Sequence, residues 1–189
     1  MYKVILISGA VNSGKTTFLH KLISDYREND LSVGGFTAEA VYEQGQKTGY
    51  DAQDLITGAR EPIVRRDCAM DVQTRYHDSA QTNSLNPGRK PKIDIRAADG
   101  AQRVGPFKVF ESGLAFCRRC VDAASQCDYI CIDEVGPLEI AGGGHRALLD
   151  KSLSESTSNL IIVVREGVTE ELQQIAKAKG REVEVYSNW

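Results

Sequence analysis

The sequence lacks any long apolar run: the longest are Val4-Ile5-Leu6-Ile7 and Leu160-Ile161-Ile162-Val163-Val164. A helix that crosses a bilayer needs about 18 such residues, so no helical membrane span is expected. The run after Met1-Tyr2-Lys3 is also too short for a signal peptide, and a glycine-rich loop stands where a cleavage site belongs, which predicts a cytoplasmic chain. There is no long Lys/Arg run either. With 23 basic against 26 acidic groups and a formal charge of -3, no basic face for nucleic acid is evident. Cysteine occurs in an odd number, five, which in an unsecreted chain implies reduced thiols rather than a disulfide framework. Aromatic side chains make up only 7%, and neither an internal repeat nor a low-complexity tract is present.

What remains is ordinary globular composition, 41% hydrophobic over 189 residues, which suits one domain spanning 1–189. A chain of this length buries about 70% of its unfolded surface and needs no staple. Lys3 to Ser8 reads as a strand buried on both faces. Beyond Gly14, Phe18, Leu19, Leu22, Ile23 and Tyr26 recur at helical spacing. Val33 to Ala40 and Lys47 to Leu55 read as an antiparallel hairpin around Gln44-Gly45-Gln46. From Arg66 to Arg103 the chain turns polar, with Asn86-Pro87-Gly88 and Asp99-Gly100 as turn signals, which predicts a long loop or flap. Patterning resumes at Val104 to Phe110, and a helix follows over about 112–125. Tyr129 to Ile132 is a buried strand, and a glycine break at 142–144 precedes a helix over His145 to Leu153. The strand Leu160 to Val164, a helix over Thr169 to Lys179 and a strand near Val183 to Val185 complete the chain. This α/β alternation predicts a mostly parallel, doubly wound sheet flanked by helices.

Chemistry enters with Gly9-Ala10-Val11-Asn12-Ser13-Gly14-Lys15-Thr16, which satisfies GxxxxGK[ST] between a strand and a helix. Glycines let such a loop turn successive backbone N–H groups toward phosphate oxygens at the positive end of the following helix. Lys15 would meet the β- and γ-phosphates and Thr16 would offer its hydroxyl to Mg2+. Thr17 is either an α-phosphate contact or a first-turn helix residue. The strand Tyr129-Ile130-Cys131-Ile132 leads into Asp133-Glu134, a Walker B pattern. Asp133 would hold the magnesium, directly or through water, and Glu134 would orient or deprotonate an attacking water. Arg165, after the next buried strand, is either a stabiliser of γ-phosphate charge or, as a terminal-strand arginine more often is, a surface residue or a structural ion-pair partner. Arg65, Arg66, Arg89, Lys90, Arg96 and Arg103 border or occupy the flap, as a solvated loop or as a lid over the nucleotide.

Cys117-Arg118-Arg119-Cys120 with Cys127 and Cys131 has the look of a zinc set, but two of these fall on a helix and one inside the acidic strand, so buried thiols are expected instead. His20, His77 and His145 are scattered and form no metal or acid–base spacing.

Together these segments resemble the cancer-related nucleoside-triphosphatase family, small P-loop enzymes also found in thermophilic microbes. Beyond the P-loop the likeness includes Val33-Gly34-Gly35-Phe36 with Glu39, Gly49-Tyr50-Asp51 with Asp54-Leu55, Ile63-Val64-Arg65, Val104-Gly105, and Asp133-Glu134-Val135-Gly136 with Leu138-Glu139. The resemblance implies a RecA-like P-loop core and magnesium-dependent release of phosphate from ATP, GTP and other triphosphates. Two departures stand out. Pro137 and Pro106 occupy positions where the family has lysine, and the 66–103 stretch is longer than usual.

The reading is therefore a nucleoside triphosphatase, with a small-molecule kinase as the nearest alternative, since kinases on P-loop folds share the lid and the acid. A nucleotide-dependent switch is a third, because Asp133-x-x-Gly136 resembles the γ-phosphate sensor of GTPases. No NKxD guanine-reading motif accompanies it, and neither base preference nor a protein partner is legible.

Overall fold

The structure, a computed structural model, describes residues 2–11, 13–67, 92–95 and 100–187. In chain order the strands are β1 (Lys3–Gly9), β2 (Val33–Glu43), β3 (Gln46–Asp54), β4 (Arg60–Arg66), β5 (Ile93–Asp94), β6 (Arg103–Val104), β7 (Phe107–Val109), β8 (Tyr129–Val135), β9 (Asn159–Arg165) and β10 (Glu182–Tyr186). The helices are α1 (Lys15–Glu28), α2 (Glu111–Ala123), α3 (Pro137–Ile140), α4 (Arg146–Glu155) and α5 (Thr169–Ala178).

One sheet runs in the order β10-β1-β9-β8-β2-β3-β4-β7-β6-β5. Its first half, through β2, is parallel as the α/β alternation implies. From β2 outward every pairing is antiparallel. The expected hairpin is thus the root of a larger antiparallel wing.

The continuous apolar strands owe their composition to burial on both faces. Ile5 and Ile7 of β1 point to the side covered by Leu19 and Ile23 of α1. Val4 and Leu6 point to the opposite side, among Leu114 of α2, Leu149 of α4 and Leu172 of α5. Two close approaches set how the halves meet. Gly35 has φ +94 and a Cβ there would lie 2.2 Å from the Cys131 carbonyl oxygen, so β2 can draw against β8 only without a side chain. Gly113 lets α2 sit on β4, since a Cβ there would lie 2.2 Å from the Pro62 carbonyl oxygen.

Several sequence expectations are corrected. The acidic strand does not end at Ile132 but continues to Val135, which is fully buried and pairs with Val164, so Asp133 and Glu134 stand within β8. Val104 to Phe110 is a tight hairpin, with Val104 paired to Phe107 across Gly105-Pro106. Helix α3 was not anticipated: Pro137 opens it, and Glu139 reaches back to the Gly136 N–H at 2.8 Å. The next helix begins at Arg146 and runs to Glu155. Within 66–103 the chain is not all loop, since Ile93–Asp94 pairs with Arg103–Val104. Residues 68–91 and 96–99, including Arg89, Lys90 and Arg96, lie outside the described residues.

Candidate active site

The P-loop stands where the sequence places it, between β1 and α1. Gly14, at φ 91, turns the chain into the helix, and Phe18 N–H bonds the Gly14 carbonyl at 2.9 Å. Ser13 N–H bonds the Ala10 carbonyl at 3.3 Å, closing the loop; Asn12 is outside the described residues. Lys15 is only 6% exposed. Its Nζ donates to the Gly9 and Ala10 carbonyls at 3.0 and 2.8 Å and lies 3.5 Å from Glu134 Oε2. The ammonium therefore bridges the loop and the acidic strand. Where β1 ends, Ser8 and Thr169 share a hydroxyl–hydroxyl bond of 2.6 Å that ties the P-loop strand to α5.

Adjacent strands order the acids. Asp133 is buried, its Oδ2 accepts the Ala38 N–H of β2 at 3.1 Å, and burial together with the nearby Glu134 carboxylate pushes its pKa up to about 8. Arg165, ending β9, donates through Nε to Glu134 Oε1 at 2.5 Å. Glu134 consequently carries a cation on each oxygen, Lys15 on one and Arg165 on the other. Of the alternatives for Arg165, the structure shows the ion pair, and it also places the residue in the cavity wall.

Val11, Ser13, Gly14, Lys15, Thr16 and Thr17 share one cavity of about 730 Å3 with Asp133, Glu134 and Arg165. Gly9 and Ala10 take part through the carbonyls that hold Lys15. The flap cations near the site are engaged elsewhere: Arg65 binds Asp51 and the Tyr50 carbonyl, and Arg103 binds Asp67 at 2.9 Å. Pro106 and Pro137 both line the cavity.

Sequence reasoning missed the residues that the wing and α3 contribute. Lys47 donates to the Tyr50 hydroxyl at 3.1 Å and lies 5.1 Å from the centre of its ring, and both residues line the cavity. Glu39 accepts from Thr37 Oγ1 at 3.0 Å and pairs with His20 at 3.0 Å. His145, treated as one of three scattered histidines, is a buried wall residue stacked against Phe36 at 5.1 Å. The one available signal was the glycine triplet before it, which marks a tight backbone approach.

Cys117 and Cys120 lie in the core on one side of the sheet and Cys131 on the other, which separates the thiols of the zinc-like pattern. Burial pushes the Cys120 pKa up to about 11 and raises Cys117 and Cys131 as well.

A family model described as NTPase matches residues 4–188. The chain belongs to this NTPase family. Archaeal relatives named nucleoside-triphosphatase THEP1 are similar to it. That of Ignicoccus hospitalis is 26% identical over 136 residues, covering 72% of this chain and 60% of the relative. That of Saccharolobus solfataricus is 22% identical over 162 residues, covering 85% of this chain and 75% of the relative. The chain thus spans less than two thirds of the first of these. A solution structure of a human cancer-related nucleoside triphosphatase matches with TM-score 0.64 at 19% identity, covering 99% of this chain and 89% of that one. The shared fold bears out the P-loop α/β architecture. No helix among the described residues is long and apolar enough to cross a membrane.

Proposed function

We propose that this NTPase-family chain releases the terminal phosphate of ATP, GTP and other nucleoside triphosphates with the help of Mg2+. The observation that carries the reading is the chain of charge Lys15–Glu134–Arg165 at the P-loop mouth. The P-loop N–H groups and the α1 N-terminus receive the phosphates. Lys15 exchanges its loop carbonyls for β- and γ-phosphate oxygens, and Arg165 adds positive charge on the γ side. Glu134 accepts a hydrogen bond from water and aims it at the γ-phosphorus. The water oxygen bonds to the γ-phosphorus as the bond to the β,γ-bridging oxygen breaks, the diphosphate leaves with that electron pair, and the water's proton passes to solvent, giving a diphosphate and inorganic phosphate.

Thr16 and Asp133 would hold the metal. The donor set fits: both offer hard oxygens, and a buried Asp133 carboxylate whose ionisation is disfavoured gains most from an adjacent dication. When bound, Mg2+ neutralises charge developing on the phosphate oxygens. A cytoplasmic setting agrees with the unpaired, buried thiols of Cys117, Cys120 and Cys131.

The test is phosphate release from ATP, GTP, CTP and UTP with and without Mg2+, in the wild type and in Lys15→Ala and Glu134→Gln. Turnover of several bases that needs Mg2+ and is lost in both variants is expected. Nucleotide binding without any phosphate release would overturn the reading.

A further inference from the structure

The cavity runs on along the sheet, past the acids and away from the P-loop. The P-loop follows β1 and the acids stand on β8, two strand positions away, yet the cavity continues past β2 and β3 to residues of β4, β6 and β7. With neighbouring strands about 4.8 Å apart, β8 to β4 spans roughly 14 Å and β8 to β7 roughly 19 Å. A P-loop lysine meets the terminal phosphates, and here that lysine touches Glu134. The γ-phosphate therefore faces β8, and the α-phosphate and nucleoside lead away on the P-loop side. A nucleotide bound in this direction leaves the space beyond Glu134 unfilled.

That space is an apolar recess with one reactive end. Ile63, Val109, Leu114 and Leu138 form walls that are at most 8% exposed, and all four line the cavity. Glu134 and Arg165 close the near end, while Lys47 and Tyr50 stand on the hairpin side. His145 also stands in the wall, and its buried Nδ1 has no hydrogen-bond partner among the described residues. Hydrolysis requires room for one water at Glu134. A recess with greasy walls disfavours a charged body and suits a neutral apolar one.

We propose that this recess is an acceptor subsite for an apolar-bodied alcohol, and that the chain also transfers the terminal phosphoryl group of a nucleoside triphosphate to that alcohol. The proposal rests on the P-loop being a triphosphate site. The alcohol oxygen bonds to the γ-phosphorus as the bond to the β,γ-bridging oxygen breaks, and the diphosphate leaves with that electron pair. Glu134 takes the hydroxyl proton and passes it to solvent. The products are a phosphomonoester and a nucleoside diphosphate, with no redox partner involved. An occupied recess also excludes the water that would otherwise take the phosphoryl group.

The test uses the full chain with Ile and Leu methyl groups labelled with 13C, titrated with benzyl alcohol, cyclohexylmethanol and 1-hexanol in the presence of Mg2+ and a non-hydrolysable ATP analogue. Saturable shifts of the Ile63 and Leu114 methyl signals are expected. With ATP in place of the analogue, 31P NMR should show a phosphomonoester beside inorganic phosphate. Filling the recess by Leu114→Phe, or by Val64→Phe at a less buried position, should lower the ester-to-phosphate ratio by about tenfold or more, with circular dichroism checking that each variant is folded. Absence of methyl shifts with all three alcohols overturns the proposal. So do methyl shifts accompanied by inorganic phosphate alone, an outcome that leaves the hydrolase reading standing. Neither ester nor phosphate would remove both.

Discussion

Glu134 divides its two carboxylate oxygens between Lys15 and Arg165, so replacing any of the three changes the field felt by the other two. Lys15→Ala leaves Glu134 with one cation and the γ-phosphate with one fewer, and kcat should fall about 10^2- to 10^3-fold. On the proposed hydrolytic role of Arg165, Arg165→Ala should lower kcat about 100-fold or more with a smaller change in KM, since its charge would then act chiefly on the departing γ-phosphate. Arg165→Lys should rescue little, since an ammonium does not reproduce the guanidinium geometry at Glu134. Phosphate-release kinetics check all three. Asp133 carries a different signature. Its folded pKa is raised from 3.8 to about 8, so the folded chain holds a proton that the unfolded chain gives up. Stability therefore falls as pH rises through that window. Asp133→Asn should make the metal-free protein more stable than the wild type at pH 8 and above while abolishing Mg2+-dependent turnover. Denaturation midpoints measured with EDTA decide the first part.

At the scale of elements, stability concentrates where one side chain serves several backbones. Arg181 is buried between α5 and β10 and donates to the Leu153, Ser158, Ser152 and Ser156 carbonyls, satisfying the C-terminal end of α4 that no glycine caps. Arg181→Met leaves these carbonyls short of donors. It should cost about 3 kcal/mol, read as a lower urea midpoint with an unchanged m value. Gly113 acts through absence of bulk. Gly113→Ala forces α2 off β4, where the added Cβ would lie 2.2 Å from the Pro62 carbonyl oxygen, and should cost about 1–3 kcal/mol. Because Leu114 follows directly, the same variant should disturb the recess more than the P-loop, altering the Leu114 methyl signal before nucleotide affinity.

Across the whole molecule, His145 links the core to pH. Burial lowers its pKa from 6.5 to about 4. Between those values the unfolded chain binds the proton and the folded chain does not. The stabilisation is complete above pH 6.5 and is lost as pH falls through about 4, a change of up to about 3 kcal/mol. Asp133 slopes the opposite way over the same range, so the wild-type profile alone will be shallow there. The difference between wild type and His145→Phe isolates the histidine, and it should grow in the variant's favour as pH drops. A difference independent of pH would sink this account.

The P-loop, the acidic strand and the parallel half of the sheet are legible in the sequence because each is local. A glycine spacing, a short apolar run or a helical period is contained within about fifteen residues and follows from backbone sterics and burial alone. Arg165 was legible as a candidate for the same reason, as the end of a buried strand. That the acids stand within the strand rather than at its end was not legible, since β8 continues past them only because Val135 finds Val164 across the sheet. Lys47, Tyr50 and His145 could not be assigned to the site at all. They line one cavity only because the β2–β3 hairpin and the turn before α4 converge from distant parts of the chain. Sequence by itself determined the P-loop motif between its strand and helix and the likeness to the nucleoside-triphosphatase family. Only the tertiary structure decided that the same cavity extends past Glu134 into an apolar recess, because side chains from β4, β7, α2 and α3 become one wall only when long-range pairing brings them there.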